Sequence, residues 1–100
     1  MEKHSAHYSL QAIKTEVLAR KADAFTAIAL NNARSMGLTG IETVGVVLSL
    51  QRTQFYKSMT THADHRVWQD VYHALCPNGR MAYIKLTLQA GAVVIQFKER

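Results

Sequence analysis

Apolar residues near the start of the chain recur at the spacing of an α-helix. Leu10, Ile13 and Val17 follow one another at intervals of three and four residues, which places them on one helical face. Ser9 precedes them, and its hydroxyl can accept a hydrogen bond from a backbone N–H of the first turn. The pattern therefore predicts a helix that begins just after Ser9.

Two more helices are predicted in the first half. The second begins at Thr26 and ends at Gly37, because glycine favours the left-handed conformation that terminates helices. Its buried positions are expected to be Ala29, Leu30, Ala33 and Met36. The third begins with the reciprocal capping box of Thr39 and Glu42. Its apolar stripe is predicted to consist of Ile41, Val44, Val47 and Leu48.

The period of the pattern changes to two in the second half. Residues 80–88 and 93–98 alternate between apolar and polar side chains, which is typical of half-buried strands. Residues 89–92 are a natural hairpin link between them. A further strand at 67–74 joins the first through the turn-forming sequence Pro77-Asn78-Gly79. An antiparallel meander is therefore predicted.

Helices followed by a meander predict an α+β fold, with N-terminal helices packed on a C-terminal antiparallel sheet. The segment 53–59 between the two halves is predicted to be a short helical turn or a loop. A chain of 100 residues buries about 65% of its unfolded surface, which is enough for one modest core. We therefore expect a single domain over residues 1–100.

The composition narrows the class of protein. Hydrophobic residues make up 48% and charged residues 19%, a balance typical of folded rather than disordered chains. The longest apolar stretch, near 44–50, is too short to cross a bilayer. The first residues have mixed charge and lead into no apolar segment, so we expect no signal peptide. A cytoplasmic location is the resulting expectation.

Positive charge is concentrated in the second half. The formal net charge is +5; residues 51–100 hold seven Lys and Arg against three Asp and Glu, whereas residues 1–50 hold five against four. An excess of positive charge in one half indicates an anionic partner, with nucleic acid as the first candidate. A small basic protein that is merely soluble has the same composition, so charge alone leaves both interpretations open.

Metal and thiol chemistry are poorly supported by the sequence. His62, Asp64 and His65 lie close together, but no Glu separates the histidines and no clear third ligand accompanies them. Cys76 is the one cysteine, which excludes an intramolecular disulfide. As a nucleophile beside His73 it would need a third, orienting group. We therefore expect no metal site and no cofactor, and Cys76 as a small packing residue.

A different set of side chains could cleave RNA without a metal. It consists of cationic, phenolic and amide groups: Lys57, Gln69, Arg80, Tyr83, Lys85 and Lys98. The RNA 2′-hydroxyl is an internal nucleophile, so a protein need only remove its proton, stabilise charge on the phosphorane and protonate the 5′-oxygen. Lys and Arg supply positive charge, and a lysine among other cations can have its pKa lowered toward neutrality. Spacing alone favours the simpler interpretation, in which these groups cover the solvent side of a basic sheet.

Five short motifs occur in order along residues 55–100. They are Phe55-Tyr56-Lys57-Ser58-Met59-Thr60-Thr61, Asp64-His65, Trp68-Gln69-Asp70-Val71-Tyr72, Tyr83-Ile84-Lys85 and Phe97-Lys98-Glu99. Together they resemble the MqsR family of bacterial toxins, the motility quorum-sensing regulators. Residues 1–54 are similar to that family only in their helix pattern. An ordered set of five motifs is specific, whereas any one of them alone is not.

The resemblance implies a RelE-like fold and a ribosome-independent, sequence-specific mRNA endoribonuclease that prefers GCU-type sites. The family's functional lysine, glutamine, strand tyrosine and C-terminal lysine fall, in that order, on Lys57, Gln69, Tyr83 and Lys98. These four are expected to be catalytic. Additional RNA contacts are expected from Tyr56, Arg80 and Lys85.

The resemblance also implies two partners, mRNA as substrate and a cognate MqsA-like antitoxin protein that neutralises the toxin and binds the operon's DNA. We expect the antitoxin to engage the toxin largely through sheet or edge contacts. Addition of a strand to an exposed edge is one form of such contact, with Ala92–Lys98 as the candidate. The alternative is a non-catalytic nucleic-acid-binding regulator that acts with a partner protein, because it too needs a basic sheet face.

Overall fold

Three α-helices occupy the first half of the chain in the computed structural model, which describes all of residues 1–100. They are α1 (Leu10–Arg20), α2 (Ala27–Ser35) and α3 (Gly40–Leu48). Each begins where the sequence predicts, because Ser9, Thr26 and Thr39 each accept a hydrogen bond from a first-turn N–H. The capping box of Thr39 and Glu42 is complete in both directions.

A five-stranded antiparallel sheet follows the helices. Its strands are β1 (Glu2–Lys3), β2 (Phe55–Thr60), β3 (Trp68–Leu75), β4 (Met81–Gln89) and β5 (Ala92–Glu99). Their spatial order is their chain order, β1-β2-β3-β4-β5. The predicted α+β class, with the helices N-terminal and the sheet mostly C-terminal, is confirmed.

The helices cover one face of the sheet only. A core of 21 buried residues joins helical side chains such as Ile13, Val17 and Val47 to sheet side chains such as Ile84 and Ile95. Because successive strand residues point to opposite faces, the residues between these core positions face away from the helices. None of the helices combines the length and apolar character needed to cross a membrane.

The segment predicted as a helical turn or a loop is mostly a strand. Residues Arg52–Gln54 form a 3₁₀ turn, but β2 starts at Phe55 and pairs with β1 on one side and β3 on the other. The prediction for 53–59 is therefore wrong from Phe55 onward. A bulge between Phe55 and Lys57 shifts the register and breaks the period-two pattern that identifies a strand.

The predicted stripe of α3 is wrong at Ile41, whose side chain is 87% exposed. The buried positions of this segment are Thr43, Val46, Val47 and Leu50, with Val44 beside them. Ile41 precedes Thr43 by two residues and so lies roughly 200° around the helix from it, given about 100° per residue. The neighbouring apolar residues make either stripe compatible with a helix, and packing of α3 against α1 and α2 selects the second stripe.

The outer edge of β5 is not free. Its outward carbonyls each accept a hydrogen bond from the helical half: Val93 O from Arg20, Ile95 O from the Thr26 N–H, and Phe97 O from Asn32 Nδ2. Phe25 also forms a parallel bridge to Ile95. The prediction that Ala92–Lys98 offers an exposed edge for an added antitoxin strand is therefore wrong, since the edge is already paired.

Candidate functional site

The face of the sheet turned away from the helices carries most of the predicted site. We call this surface the open face, and its members used below are Tyr56, Lys57, Gln69, Val71, His73, Tyr83, Lys85, Gln96 and Lys98. They alternate with core residues such as Tyr72, Ile84 and Phe97. All four predicted catalytic residues therefore lie on one surface, together with Tyr56 and Lys85.

Strand register places these side chains in two adjacent rows. In the first row Lys57 pairs with Val71, Val71 with Lys85, and Lys85 with Gln96. In the second row His73 pairs with Tyr83, and Tyr83 with Lys98. Neighbouring strands are about 4.8 Å apart, so each row brings groups from distant parts of the chain within reach of one substrate.

Aromatic rings line the second row. The Tyr56 and His73 rings stack at 4.4 Å between centroids, and the His73 and Tyr83 rings lie 5.4 Å apart. Lys98 Nζ is 5.1 Å from the Tyr83 ring centroid, and Lys57 Nζ is 5.4 Å from that of Tyr56. Cations thus flank the aromatic row at both ends, an arrangement that suits bases and phosphates of single-stranded RNA.

Lys57 is held by an acidic partner from the edge strand β1. Its Nζ donates to Glu2 Oε1 at 2.5 Å. This hydrogen bond raises the pKa of Lys57 and lowers the pKa of Glu2. The Lys57 ammonium is therefore fixed in place and in its charged form, which suits a stabiliser of phosphorane charge.

Lys85 has the opposite environment, at the centre of the open face. It is partly buried between Val71 and Gln96, and no carboxylate pairs with it. Burial lowers the pKa of Lys85, and the charges of Lys98 and Lys57 lower it further. The structure thus gives Lys85, expected from sequence only as an RNA contact, an environment that favours loss of its proton.

Arg80 is not brought into this group. It precedes β4 and forms an ion pair with Glu99, with 3.0 Å between Arg80 Nη1 and Glu99 Oε1. Glu99 alternates with Lys98 along β5, so this pair points to the other side of the sheet. An RNA contact by Arg80 stays a prediction, at the rim of the sheet rather than on the open face.

His73 is a member of the site that sequence reasoning missed. Its Nε2 is buried and has no hydrogen-bond partner. Burial lowers the pKa of His73, and Arg100 lowers it further, so the surroundings favour the neutral ring over the charged one. Its position in the sequence could have identified it, because alternate residues of a strand share a face and His73 follows Gln69 and Val71 at intervals of two along β3.

Among the residues weighed as metal ligands or as a thiol nucleophile, only His62 borders the open face, where it lines a cavity with Gln69, Lys85 and Gln96. Asp64 accepts hydrogen bonds from Arg66, and no cluster of three or more metal-ligating side chains occurs. Cys76 is buried in the core, and burial raises the pKa of its thiol. A thiol with a raised pKa is a weak nucleophile, as expected for a packing residue.

A buried carboxylate ties the N-terminal segment to the site. Asp70 neighbours Gln69 on β3 and accepts hydrogen bonds from the backbone N–H groups of His7 and Tyr8, at 3.0 and 2.9 Å. The Tyr8 hydroxyl donates to Trp68 O at 2.7 Å. These bonds hold β1, and with it Glu2, beside β2.

The chain is similar to known proteins over nearly its whole length. Residues 5–99 match the family described as "Motility quorum-sensing regulator, toxin of MqsA". The chain is also 38% identical over 100 residues to the "mRNA interferase toxin MqsR" of Escherichia coli (strain K12), and the alignment covers 100% of both chains. The similarity therefore extends over the helices as well as the five motifs. The chain belongs to the MqsR toxin family.

Proposed function

We propose that this protein is the toxin of a type II toxin–antitoxin system and that residues 1–100 act as one endoribonuclease domain that cuts mRNA. The observation that carries the proposal is the convergence of Lys57, Gln69, Tyr83, Lys85 and Lys98 on one uncovered sheet face. The name of the Escherichia coli relative, an mRNA interferase toxin, supports the same activity. Cleavage is ribosome-independent and sequence-specific, at GCU-type sites.

The reaction we propose is attack of a 2′-hydroxyl on the adjacent phosphorus. The hydroxyl loses its proton, a new P–O bond forms, and the bond to the 5′-oxygen breaks as that oxygen gains a proton. The products are a 2′,3′-cyclic phosphate and a 5′-hydroxyl. No metal takes part, since the nucleophile is internal to the substrate and the charge is met by lysines.

The surroundings of each residue support a division of labour. Lys57, held charged by Glu2, and Lys98 stabilise the phosphorane oxygens. Lys85, whose pKa is lowered by burial and by two neighbouring cations, takes the 2′-hydroxyl proton. Tyr83 donates to a phosphate oxygen or stacks on a base, and the Gln69 amide bonds a phosphate or a base edge.

A cognate MqsA-like antitoxin is the proposed protein partner, and the cytoplasm the proposed location. The family description names a toxin of MqsA. Because the outward carbonyls of β5 are already bonded, the antitoxin neutralises this toxin without adding a strand there. Preventing mRNA from docking on the open face is sufficient for neutralisation.

The alternative, a nucleic-acid-binding regulator without catalysis, uses the same basic face. An RNA that contains a GCU site, and a copy with a single 2′-deoxy nucleotide before the scissile phosphate, separate the two. In excess chelator, the proposal expects defined fragments with 5′-hydroxyl ends from the first RNA and no cut at that position in the second. A shifted band without fragments from either RNA would favour the regulator.

A further inference from the structure

A cavity of about 370 Å³ opens beside the proposed catalytic residues, between the start of α2 and β5. We call it the edge pocket. Its apolar lining includes the buried side chains of Ala29 and Phe97 and the exposed side chain of Ile28, and its polar lining includes Thr26, Asn32 and Gln96. Tyr83, Lys85 and Lys98 also line it, so it is continuous with the open face.

The polar groups of the edge pocket have unused hydrogen-bonding capacity. Asn32 Nδ2 donates to Phe97 O at 3.0 Å, which fixes the amide and leaves its Oδ1 without a protein partner. Thr26 Oγ1 accepts from the Ala29 N–H at 3.0 Å, so its own proton is free to be donated. Gln96 is exposed and its side chain bonds to nothing in the protein.

These features match the chemistry of an unpaired nucleobase. A base has apolar faces that pack on aliphatic and aromatic side chains, and edges that pair with fixed donors and acceptors. At the mouth of the edge pocket, Lys98 provides positive charge for the phosphate attached to that base.

We propose that the edge pocket holds one nucleobase of the RNA next to the scissile phosphate and so determines part of the sequence that is cut. The inference rests on the proposed function and adds to it a location for base selection. Gln96 and Asn32 are then the specificity-determining residues, and Ile28 supplies an apolar contact to the base face. The helical half thereby contributes to recognition, because α2 builds one wall of the pocket.

The test compares cleavage profiles on a pool of RNAs randomised around one site. Gln96→Ala is expected to relax the preference at a single position of the recognised sequence by about tenfold, the worth of one hydrogen bond, and to leave the other positions unchanged. Ile28→Ala is expected to raise KM without changing the profile, because an apolar contact does not distinguish base edges. Both side chains are exposed, so neither variant removes core packing.

Matched controls are available on distant helices. Gln11→Ala removes an exposed glutamine of α1, and Ile41→Ala removes an exposed isoleucine from the first turn of α3; both are expected to keep the wild-type profile and KM. A wild-type profile and KM in both Gln96→Ala and Ile28→Ala, with RNA cleaved normally, would overturn the edge pocket alone. A wild-type protein that cuts no RNA would overturn the proposed function and the pocket with it.

Discussion

At the scale of single residues, the lysines of the open face differ in what holds them. Lys57 bonds to Glu2, whereas Lys85 lies between two cations with no acidic partner. Sequence parity places Tyr83 and Lys85 on one face of a strand, and the motifs identify the remaining residues. The bond between Glu2 and Lys57 could not be predicted, because it depends on a two-residue edge strand with no pattern of its own.

Removal of either charge stabiliser is expected to slow cleavage strongly. Lys57→Ala and Lys98→Ala should each lower kcat by about 10²- to 10³-fold, because each removes a fixed donor to the developing phosphorane charge. Gln69→Ala should have a smaller effect, since it removes a neutral amide. Single-turnover rates in chelator measure these effects, with His65→Ala as an exposed control that stays within a few-fold of wild type.

The role of Lys85 is tested by pH. The neutral amine is the active form of a base, so the rate should rise with pH, and the lowered pKa of Lys85 brings that rise below the range of an ordinary lysine. The charged groups that face Lys85 are Lys57 and Lys98, with Glu2 beyond Lys57. Lys85→Arg, which stays charged, should abolish the rise and most of the rate. An unchanged pH–rate profile in Lys85→Arg would contradict this role.

His73 is expected to make the free energy of unfolding depend on pH in the acidic range. Because burial lowers the pKa of His73 in the folded state, the unfolded chain binds the proton more readily. The free energy of unfolding should therefore fall as pH drops below the ordinary histidine value of 6.5. Denaturant titrations at pH 7.5 and pH 5 should show a smaller difference for His73→Gln than for wild type. An equal loss in both proteins would show that other groups cause it, and His62→Gln is the exposed control.

At the scale of secondary-structure elements, caps and turns are the features that sequence predicts best. The side chains of Ser9, Thr26 and Thr39 each accept a hydrogen bond from the backbone N–H three residues later, so a local pattern is sufficient to identify them as caps. Strand β2 could not be predicted in the same way. The bulge at Tyr56 turns both Tyr56 and Lys57 toward the open face, and only pairing with β3 defines the strand.

The hairpin between β4 and β5 contains a strained residue. Ala90 has φ of 51° and Gly91 has φ of 75°, so both central residues of the turn are left-handed. Asn-Gly is the favoured pair in such turns, whereas alanine pays a steric cost. Ala90→Asn should stabilise the protein by about 1 kcal/mol, measured by denaturant unfolding. Ala92→Asn, in extended backbone of β5, should give no gain.

At the scale of the whole molecule, the decisive feature is a sheet that the helices cover on one face only. Composition and charge predict that the second half carries a positively charged surface for an anionic partner. The alternation within β4 and β5 predicts which residues lie on that surface. Two features of long range were not predictable from the pattern. These are the bonding of the β5 edge by Arg20, Thr26 and Asn32 and the edge pocket that this contact creates.

Because the open face is basic, RNA binding is expected to weaken as the salt concentration rises. If Lys57 and Lys98 neutralise two phosphates, the logarithm of the binding constant should fall with the logarithm of salt concentration with a slope of about −1.4 for single-stranded RNA. A 2′-O-methyl RNA allows binding to be measured without cleavage. Lys98→Ala should make the slope shallower by about 0.7. A binding constant that does not change with salt concentration would contradict the proposal that these lysines contact phosphates.

We propose that lysines of the open face cut RNA without a metal. The most direct measurement is the single-turnover cleavage rate of a GCU-containing RNA in excess chelator, for wild type and for the Lys57→Ala/Lys98→Ala double variant purified in parallel. Wild type should give defined fragments, and the double variant should cut at least about 10³-fold more slowly while circular dichroism shows that it is folded. Equal rates in the two proteins, or cleavage by wild type only when a divalent metal is restored, would contradict it.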